Sequence, residues 1–261
     1  MAPPDEAAQR DDWDRHWLEY GTASENNPAQ SYRRRIVGVL LALNGRPARI
    51  LDIGSGQGDF EVDLLRRHPN LEILGLEVSE AGVEVARRKA PGARFEQRDL
   101  LQPGEPAPEQ REWASHAICS EVLEHVDQPG VLLANASAYM APGCRLVVTV
   151  PGGPMSAFDR HIGHRRHFTP AALRELLAES GFDVVAAYGA GFPFFNLYRL
   201  AVILRGQRLV EQGASASAAS TTARAVMTTF GLLFRLNLPI KRWGWQTVAV
   251  ARVKAQGSAG G

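Results

Sequence analysis

The chain has 261 residues, 45% of them hydrophobic, enough to bury a sizeable core as one large domain or one domain with an insertion. Lys and Arg total 29 against 28 Asp and Glu, so the net charge of +1 gives no whole-chain electrostatic case for nucleic acid or an anionic membrane. The polar start from Met1 to Asp14 has no apolar signal-peptide core, and no run of about 18 apolar residues offers a membrane span, which leads us to expect a soluble cytoplasmic protein.

Helical periodicity first appears over Ser31–Leu43, where Ile36, Val39, Leu40 and Leu43 share a face. A strand Arg49–Ile53, a helix Phe60–Arg67 and a strand Glu72–Glu77 follow. Ser79 is a plausible cap for a helix reaching Lys89. A strand Ala93–Gln97 leads to Asp99 and a Pro-rich loop, Gln102–Pro108. Beyond it come a strand Ala117–Ser120, a helix Gly130–Tyr139, a turn at Pro142-Gly143 and a strand Arg145–Val150. Thr169-Pro170 pairs a capping hydroxyl with a proline suited to the first helical position, starting a helix that stops at Gly181. Strands Asp183–Tyr188 and Gln246–Val253 complete the set. Seven strands alternating with helices predict an α/β fold, a doubly wound, mostly parallel seven-stranded sheet. The two cysteines, Cys119 and Cys144, lie in apolar segments and are expected as buried thiols, consistent with a reducing compartment.

Between the last two strands, the apolar segments Phe192–Leu204 and Ala225–Ile240 flank a small-residue run, Gly213–Ala223, that reads as a flexible linker. The segments carry Arg199 and Arg235 and are too short to span a bilayer. They are expected as a helical cap on the sheet core. The same helices could also line an apolar substrate pocket or touch a membrane surface peripherally.

The densest chemical signal is Asp52-Ile53-Gly54-Ser55-Gly56-Gln57-Gly58-Asp59-Phe60, directly after a strand. Glycines there let a ligand sit against bare backbone. The register is G-x-G-x-G, and Asp59 occupies the place of the third glycine of a dinucleotide turn, where an acid would face the pyrophosphate. No Gly-Lys-Ser/Thr follows, which removes a P-loop. Asp52 suits an amino group, and Glu77 ends the second strand at the distance where a carboxylate meets ribose hydroxyls. The pattern points to a nucleoside ligand with an amino group and no phosphates.

At this point the chain resembles the class I S-adenosylmethionine-dependent methyltransferases, of the small-molecule type. Leu51-Asp52-Ile53-Gly54-Ser55-Gly56-Gln57-Gly58 is similar to the family's first motif, and Leu76-Glu77-Val78-Ser79 to its ribose-binding second motif. Arg98-Asp99-Leu100 resembles the segment whose acid reaches the adenine amino group. Ser120-Glu121-Val122-Leu123-Glu124-His125-Val126 resembles the motif after the fourth strand. Ala141-Pro142-Gly143 with Leu146-Val147-Val148 resembles the turn into the fifth. The ordered set covers roughly residues 30 to 190. Two positions depart from the pattern, His116 for a common aspartate and Cys144 for a common glycine.

The resemblance implies a Rossmann-like fold and S-adenosyl-L-methionine as cofactor. It implies that Gly54, Ser55 and Gly56 pass beneath the methionine part, with Asp52 on its amino group. Glu77 and Val78 would meet the ribose, Asp99 and Leu100 the adenine, and Ser120 the sulfonium or adenosine. Asn27-Pro28-Ala29-Gln30-Ser31-Tyr32-Arg33 looks like the family's N-terminal closing helix, with Arg33 a candidate for the methionine carboxylate. The aromatic residues Trp13, Trp17 and Tyr20 are expected to pack within that lid, or to form a wall for the acceptor. On this basis the chain divides into a lid over 1–45, a cofactor-binding core over 46–190 and an insertion over 191–243. The final strand occupies 244–254, and a disordered tail is expected over 255–261.

Asp159-Arg160-His161-Ile162-Gly163-His164-Arg165-Arg166-His167-Phe168 follows the fifth strand and is therefore expected on the carboxyl edge of the sheet, where ligands bind. His164, His161 or His167 could act as a base or orient substrate, and His125, beside Ser120, is a further base candidate. No acid or cysteine pattern sharpens the histidine spacing into a metal site, so none is assigned. The expected activity is methylation of a small-molecule acceptor, partly apolar in character, at the hydroxyl of a secondary metabolite, lipid-like molecule or saccharide. N- or C-methylation and a non-catalytic binding role are the alternatives. Balanced charge and the lack of an Asn/Asp-Pro-Pro-Tyr/Phe motif argue against a nucleic-acid substrate.

Overall fold

A computed structural model describes Trp13, Asp14, Trp17, residues 27–212 and residues 221–254. Tyr20, most of the linker run and the 255–261 tail lie outside the described residues. Helix α1 (Pro28–Leu41) starts where Asn27 Oδ1 accepts from Ala29 N at 2.9 Å, and ends at Ala42 in the left-handed region, φ 54°. Strand β1 (Arg49–Ile53), helix α2 (Asp59–Arg67), β2 (Glu72–Glu77), α3 (Glu80–Lys89) and β3 (Arg94–Gln97) follow. Next come β4 (Ala114–Ser120), α4 (Pro129–Ser137), β5 (Met140–Pro151), the short α5 (Ala157–His161) and α6 (Pro170–Glu179). The chain then forms β6 (Phe182–Ala190), α7 (Phe194–Gln212), α8 (Thr221–Leu233) and β7 (Gln246–Val253).

The seven strands form one sheet in the order β3-β2-β1-β4-β5-β7-β6. The first five run parallel, and β7 is antiparallel to both β5 and β6. The order reverses between β1 and β4, the crevice where open α/β sheets bind ligands. Because β7 runs the other way, its first residue, Gln246, pairs with Pro151 and Ala190 and joins the carboxyl edge of the parallel strands.

Both faces of the sheet are covered. Ile50, Ile73, Ile118 and Val147 meet Val37 and Leu41 of α1 and Leu64 of α2. The alternate residues Leu51, Leu74, Cys119 and Val148 meet Leu132 and Leu133 of α4 and Leu173 and Leu177 of α6. Cys119 and Cys144 are buried free thiols, as expected, and burial raises both, Cys144 to about 12.

Three expectations change. The buried face of α1 is Tyr32, Val37 and Leu41, while Val39 is 72% exposed. The helix starts earlier and rotates so that its amino end meets the cap. The turn at Pro142-Gly143 lies inside the long strand β5, where the pairing with β4 shifts register and Gly143 has φ +76°. The cap rests on α1 and α5 rather than flat on the sheet: Phe195 and Phe234 close on Tyr32 at ring distances of 5.2 and 5.4 Å. No helix among the described residues is long and apolar enough to cross a membrane.

The α1 assignment is testable by urea denaturation. Val37→Ala should cost about 2 kcal/mol, because it removes methyls from a filled core, whereas Val39→Ala should stay within about 0.5 kcal/mol.

Candidate functional site

The loop after β1 is built for close approach. Gly54, Gly56 and Gly58 all lie in the left-handed region, at φ +71°, +56° and +79°. A Cβ on Gly54 would lie 2.5 Å from Val122 after β4, one on Gly56 2.7 Å from the Trp17 ring, and one on Gly58 3.0 Å from Ala86 of α3. The amides of Gly54 and Ser55 donate to the Leu76 carbonyl at 2.8 and 3.2 Å, tying the loop to β2. Glu77 completes the tie, one carboxylate oxygen accepting from Gly56 N at 2.9 Å and the other from Ser79 N at 3.0 Å.

Next to this loop stand the other expected positions. Ser79 caps α3 through Gly82 N at 2.9 Å, and Asp14 accepts from the Ser79 hydroxyl and the Ala81 amide. Trp17 covers Gly56, and its carbonyl accepts from Gln57 Nε2 at 3.3 Å. Arg98 N donates to the Glu77 carbonyl at 2.8 Å, which brings Asp99 beside Glu77. Asp99 Oδ1 accepts from Leu101 N at 2.9 Å, and Leu100 is buried. Val78 is half-exposed, and its carbonyl accepts from Gln97 Nε2 at 3.2 Å.

Three acids behind the loop are buried. Asp52 and Glu61 of α2 are close neighbours, and neither carboxylate oxygen of Glu61 has a hydrogen-bond partner among the described residues. Burial, with Glu77 nearby, pushes Asp52 up to about 7. Burial and the neighbouring Asp52 hold Glu61 well above the usual carboxylate range. Glu77 is also raised by burial, against the opposing pull of its backbone donors.

On the β4 side of the crevice, Ser120 Oγ and Thr149 Oγ1 lie 2.8 Å apart. Glu121 follows at φ +60°, a strained backbone for a side chain of this size. It pairs with Arg33 of α1 at 2.8 Å and accepts from Gln246 Nε2 at 2.8 Å, while Arg33 Nε donates to Gln246 Oε1 at 2.9 Å. Arg33 is thus at the site but committed to Glu121 and Gln246. Glu121 and Gln246 carried no role in the sequence reading. The signal for Glu121 was its place in Ser120–Val126; Gln246 had none, because only the antiparallel β7 brings it here.

Three of the four candidate histidines converge. The His125 and His164 rings meet edge to face at 4.7 Å, and His164 Nδ1 lies 3.2 Å from His167 Nε2. His167 Nδ1 reaches the Gly153 carbonyl at 3.0 Å. Trp13 packs on the outer side of His125 at 4.8 Å. His161 is exposed at the end of α5, outside this cluster. Beneath the rings, Asp159 accepts both guanidinium nitrogens of Arg199, at 3.0 and 2.8 Å, and the amide and hydroxyl of Ser156 at 2.7 and 2.8 Å. Despite burial, these donors hold Asp159 down to about 2. Burial holds His164 down to about 2 and lowers His167, so both rings are neutral at neutral pH. Glu124, also in this corner, is raised by burial first and by Glu121 second.

Residues 27–187 match a family described as a methyltransferase domain. The chain belongs to the class I S-adenosylmethionine-dependent methyltransferases. It is 36% identical over 107 residues to a trans-aconitate 2-methyltransferase of Methylobacterium nodulans, covering 40% of this chain and 39% of that one. It is 32% identical over 185 residues to a demethylmenaquinone methyltransferase of Thermus thermophilus, covering 59% and 81%. The chain spans 39–50% of the length of four trans-aconitate 2-methyltransferases that it matches. In fold it is similar to a geranyl diphosphate C-methyltransferase from Streptomyces coelicolor, with a TM-score of 0.57 at 17% identity, covering 87% of this chain and 79% of that one.

In this chain the buried acids make stability depend on pH. The folded-state pKa values of Asp52 and Glu61 lie above their unfolded values, so the fold keeps protons that the unfolded chain releases above about pH 4. Their contribution is full below that pH and is lost as the pH climbs to 7 and beyond. Urea midpoints should fall between about pH 5 and about pH 7, and Glu61→Gln should flatten the fall. A wild-type midpoint that rises over this interval would count against the buried pair.

Proposed function

We propose that this chain methylates a hydroxyl of a small, partly apolar molecule, using S-adenosylmethionine held across the β1 and β2 ends. The observation that carries the reading is the juxtaposition of the glycine loop and Glu77 with the polar corner of Ser120, His125 and His164 across one crevice. The residues present suit the cofactor. Gly54 and Gly56 add no side chain to the loop, with Trp17 lying against Gly56, and Asp52, Glu77 and Asp99 are acids at the expected strand ends. When bound, S-adenosylmethionine supplies a methyl group on a sulfonium, already activated toward a nucleophile.

The chain's own work is then binding, orientation and exclusion of water. Glu77 is assigned to the ribose hydroxyls, Asp52 to the amino group, and Asp99 with Leu100 to the adenine. Gly54, Ser55 and Gly56 underlie the methionine part, and Ser120 stands beside the reacting end. Val78 contributes backbone, since its side chain is half-exposed. Arg33 acts through Glu121, holding the left-handed residue after β4 in place. Trp13 and Trp17 close the crevice from the amino-terminal side. His164, a neutral imidazole, is assigned to orienting the acceptor hydroxyl, and His125 is the adjacent partner. His161, exposed and outside the cluster, takes no part. Relatives named for trans-aconitate and demethylmenaquinone support a small-molecule acceptor.

Calorimetry should detect S-adenosylmethionine binding that Glu77→Ala weakens by about tenfold or more, the loss of charge-assisted hydrogen bonds. Asp52→Ala should weaken it as well, and undiminished binding in both variants would sink the assignment. Methyl-labelled cofactor incubated with fractionated host metabolites should yield a labelled product, whose NMR spectrum reports whether oxygen received the methyl. On that acceptor, His164→Ala should lower kcat by about 10²-fold with cofactor affinity unchanged. Intact turnover would remove the histidine from the reaction.

A further inference from the structure

The turn after β4 and the loop after β5 bring together three groups that no secondary-structure contact explains. Glu124 is wholly buried, and neither carboxylate oxygen has a hydrogen-bond partner on another residue. A carboxylate removed from water needs a counter-charge or donors. His125 Nε2 lies 4.0 Å from Glu124 Oε1, and the His164 ring stands edge-on to His125. One ligand-type atom from each of Glu124, His125 and His164 lies within 4.8 Å of the other two. Some point is therefore within about 2.8 Å of all three, and a small inward shift reaches the roughly 2.0–2.2 Å of nitrogen and oxygen bonds to zinc-like ions.

The neighbouring carboxylates are already used. Asp159 is saturated by Arg199 and Ser156, and Glu121 by Arg33 and Gln246. Glu124 is the acid left over. The histidine chain also fixes a tautomer. The Gly153 carbonyl only accepts, so His167 Nδ1 carries its proton and His167 Nε2 accepts from His164 Nδ1. The remaining lone pair of His164 is then on Nε2, as a ligand supported by an outer hydrogen bond requires.

We propose that Glu124, His125 and His164 form a binding site for a divalent first-row transition cation. Two imidazoles and one carboxylate suit zinc, cobalt or manganese ions better than magnesium or calcium, which favour all-oxygen sets. Three protein ligands leave at least one position for an acceptor oxygen. The cation would thus orient a hydroxyl-bearing acceptor; that role rests on the methyl-transfer reading, whereas cation binding does not.

Metal-free protein is titrated with Co2+ by visible absorption and with Zn2+ by calorimetry, without cofactor or acceptor. One ion per chain is expected, with ligand-field bands of nitrogen-bound cobalt. Glu124→Gln and His164→Asn should each weaken binding by about tenfold or more. His68→Ala, at the far end of α2, should leave it unchanged. Melting curves confirm folding of each variant, and either one alone suffices if the other does not fold. Separate S-adenosylhomocysteine titrations keep the two readings apart, since their failure would strike the methyltransferase reading and leave the cation result standing. Absence of cobalt bands in the wild type, or unchanged affinity in the folded variants, would overturn the site.

Discussion

The carboxylate of Glu77 joins the amide of Gly56 to the amide of Ser79, and much of the crevice depends on that bridge. It stitches the loop after β1 to the start of α3, so the three left-handed glycines are held from both sides. The bridge needs a buried anion-sized group at the end of β2, and it needs bare backbone opposite. A larger side chain at Gly56 would meet Trp17, and one at Gly54 would meet Val122. Sequence, loop geometry and amino-terminal closure are therefore one constraint.

Around that bridge the site divides into two chemical halves. The β1–β3 half is a row of acids against glycine backbone, with Asp52 and Glu61 sharing a buried contact that favours their protonated forms. The β4–β7 half is richer in compensated charge. Arg33 is neutralised by Glu121, and Arg199 by Asp159. Among the acids of the described residues, only Glu124 is buried there without donors from other residues. The two halves meet where the strand order reverses, so the topology itself sets them side by side.

Most strands and helices were legible because their signals are local. Ser79 and Thr169 cap helices as their spacing suggests, and β1, β2 and β7 occupy the expected ranges. The apolar face of α1 was misread at Val39. Its periodicity is compatible with two neighbouring stripes, and one is selected by the sheet residues beneath Val37 and Leu41 together with Phe195 and Phe234 on Tyr32. The turn at Pro142-Gly143 was real as a backbone kink, yet pairing on either side carries the strand through it. The histidine segment was placed on the correct edge, but nothing in its spacing separated the exposed His161 from His164 and His167.

The sequence by itself determined the alternating α/β order, the glycine loop and the acids at the strand ends, since each is written within a few consecutive residues. Only the tertiary structure decided who meets whom across the edge. Gln246 reaches Glu121 because β7 runs antiparallel, and His125 reaches His164 because the loops after β4 and β5 lie side by side. The acid absent from the local histidine pattern, Glu124, arrives from another strand end. Local propensity reads along the chain, whereas a binding site is assembled between segments whose proximity is set by packing.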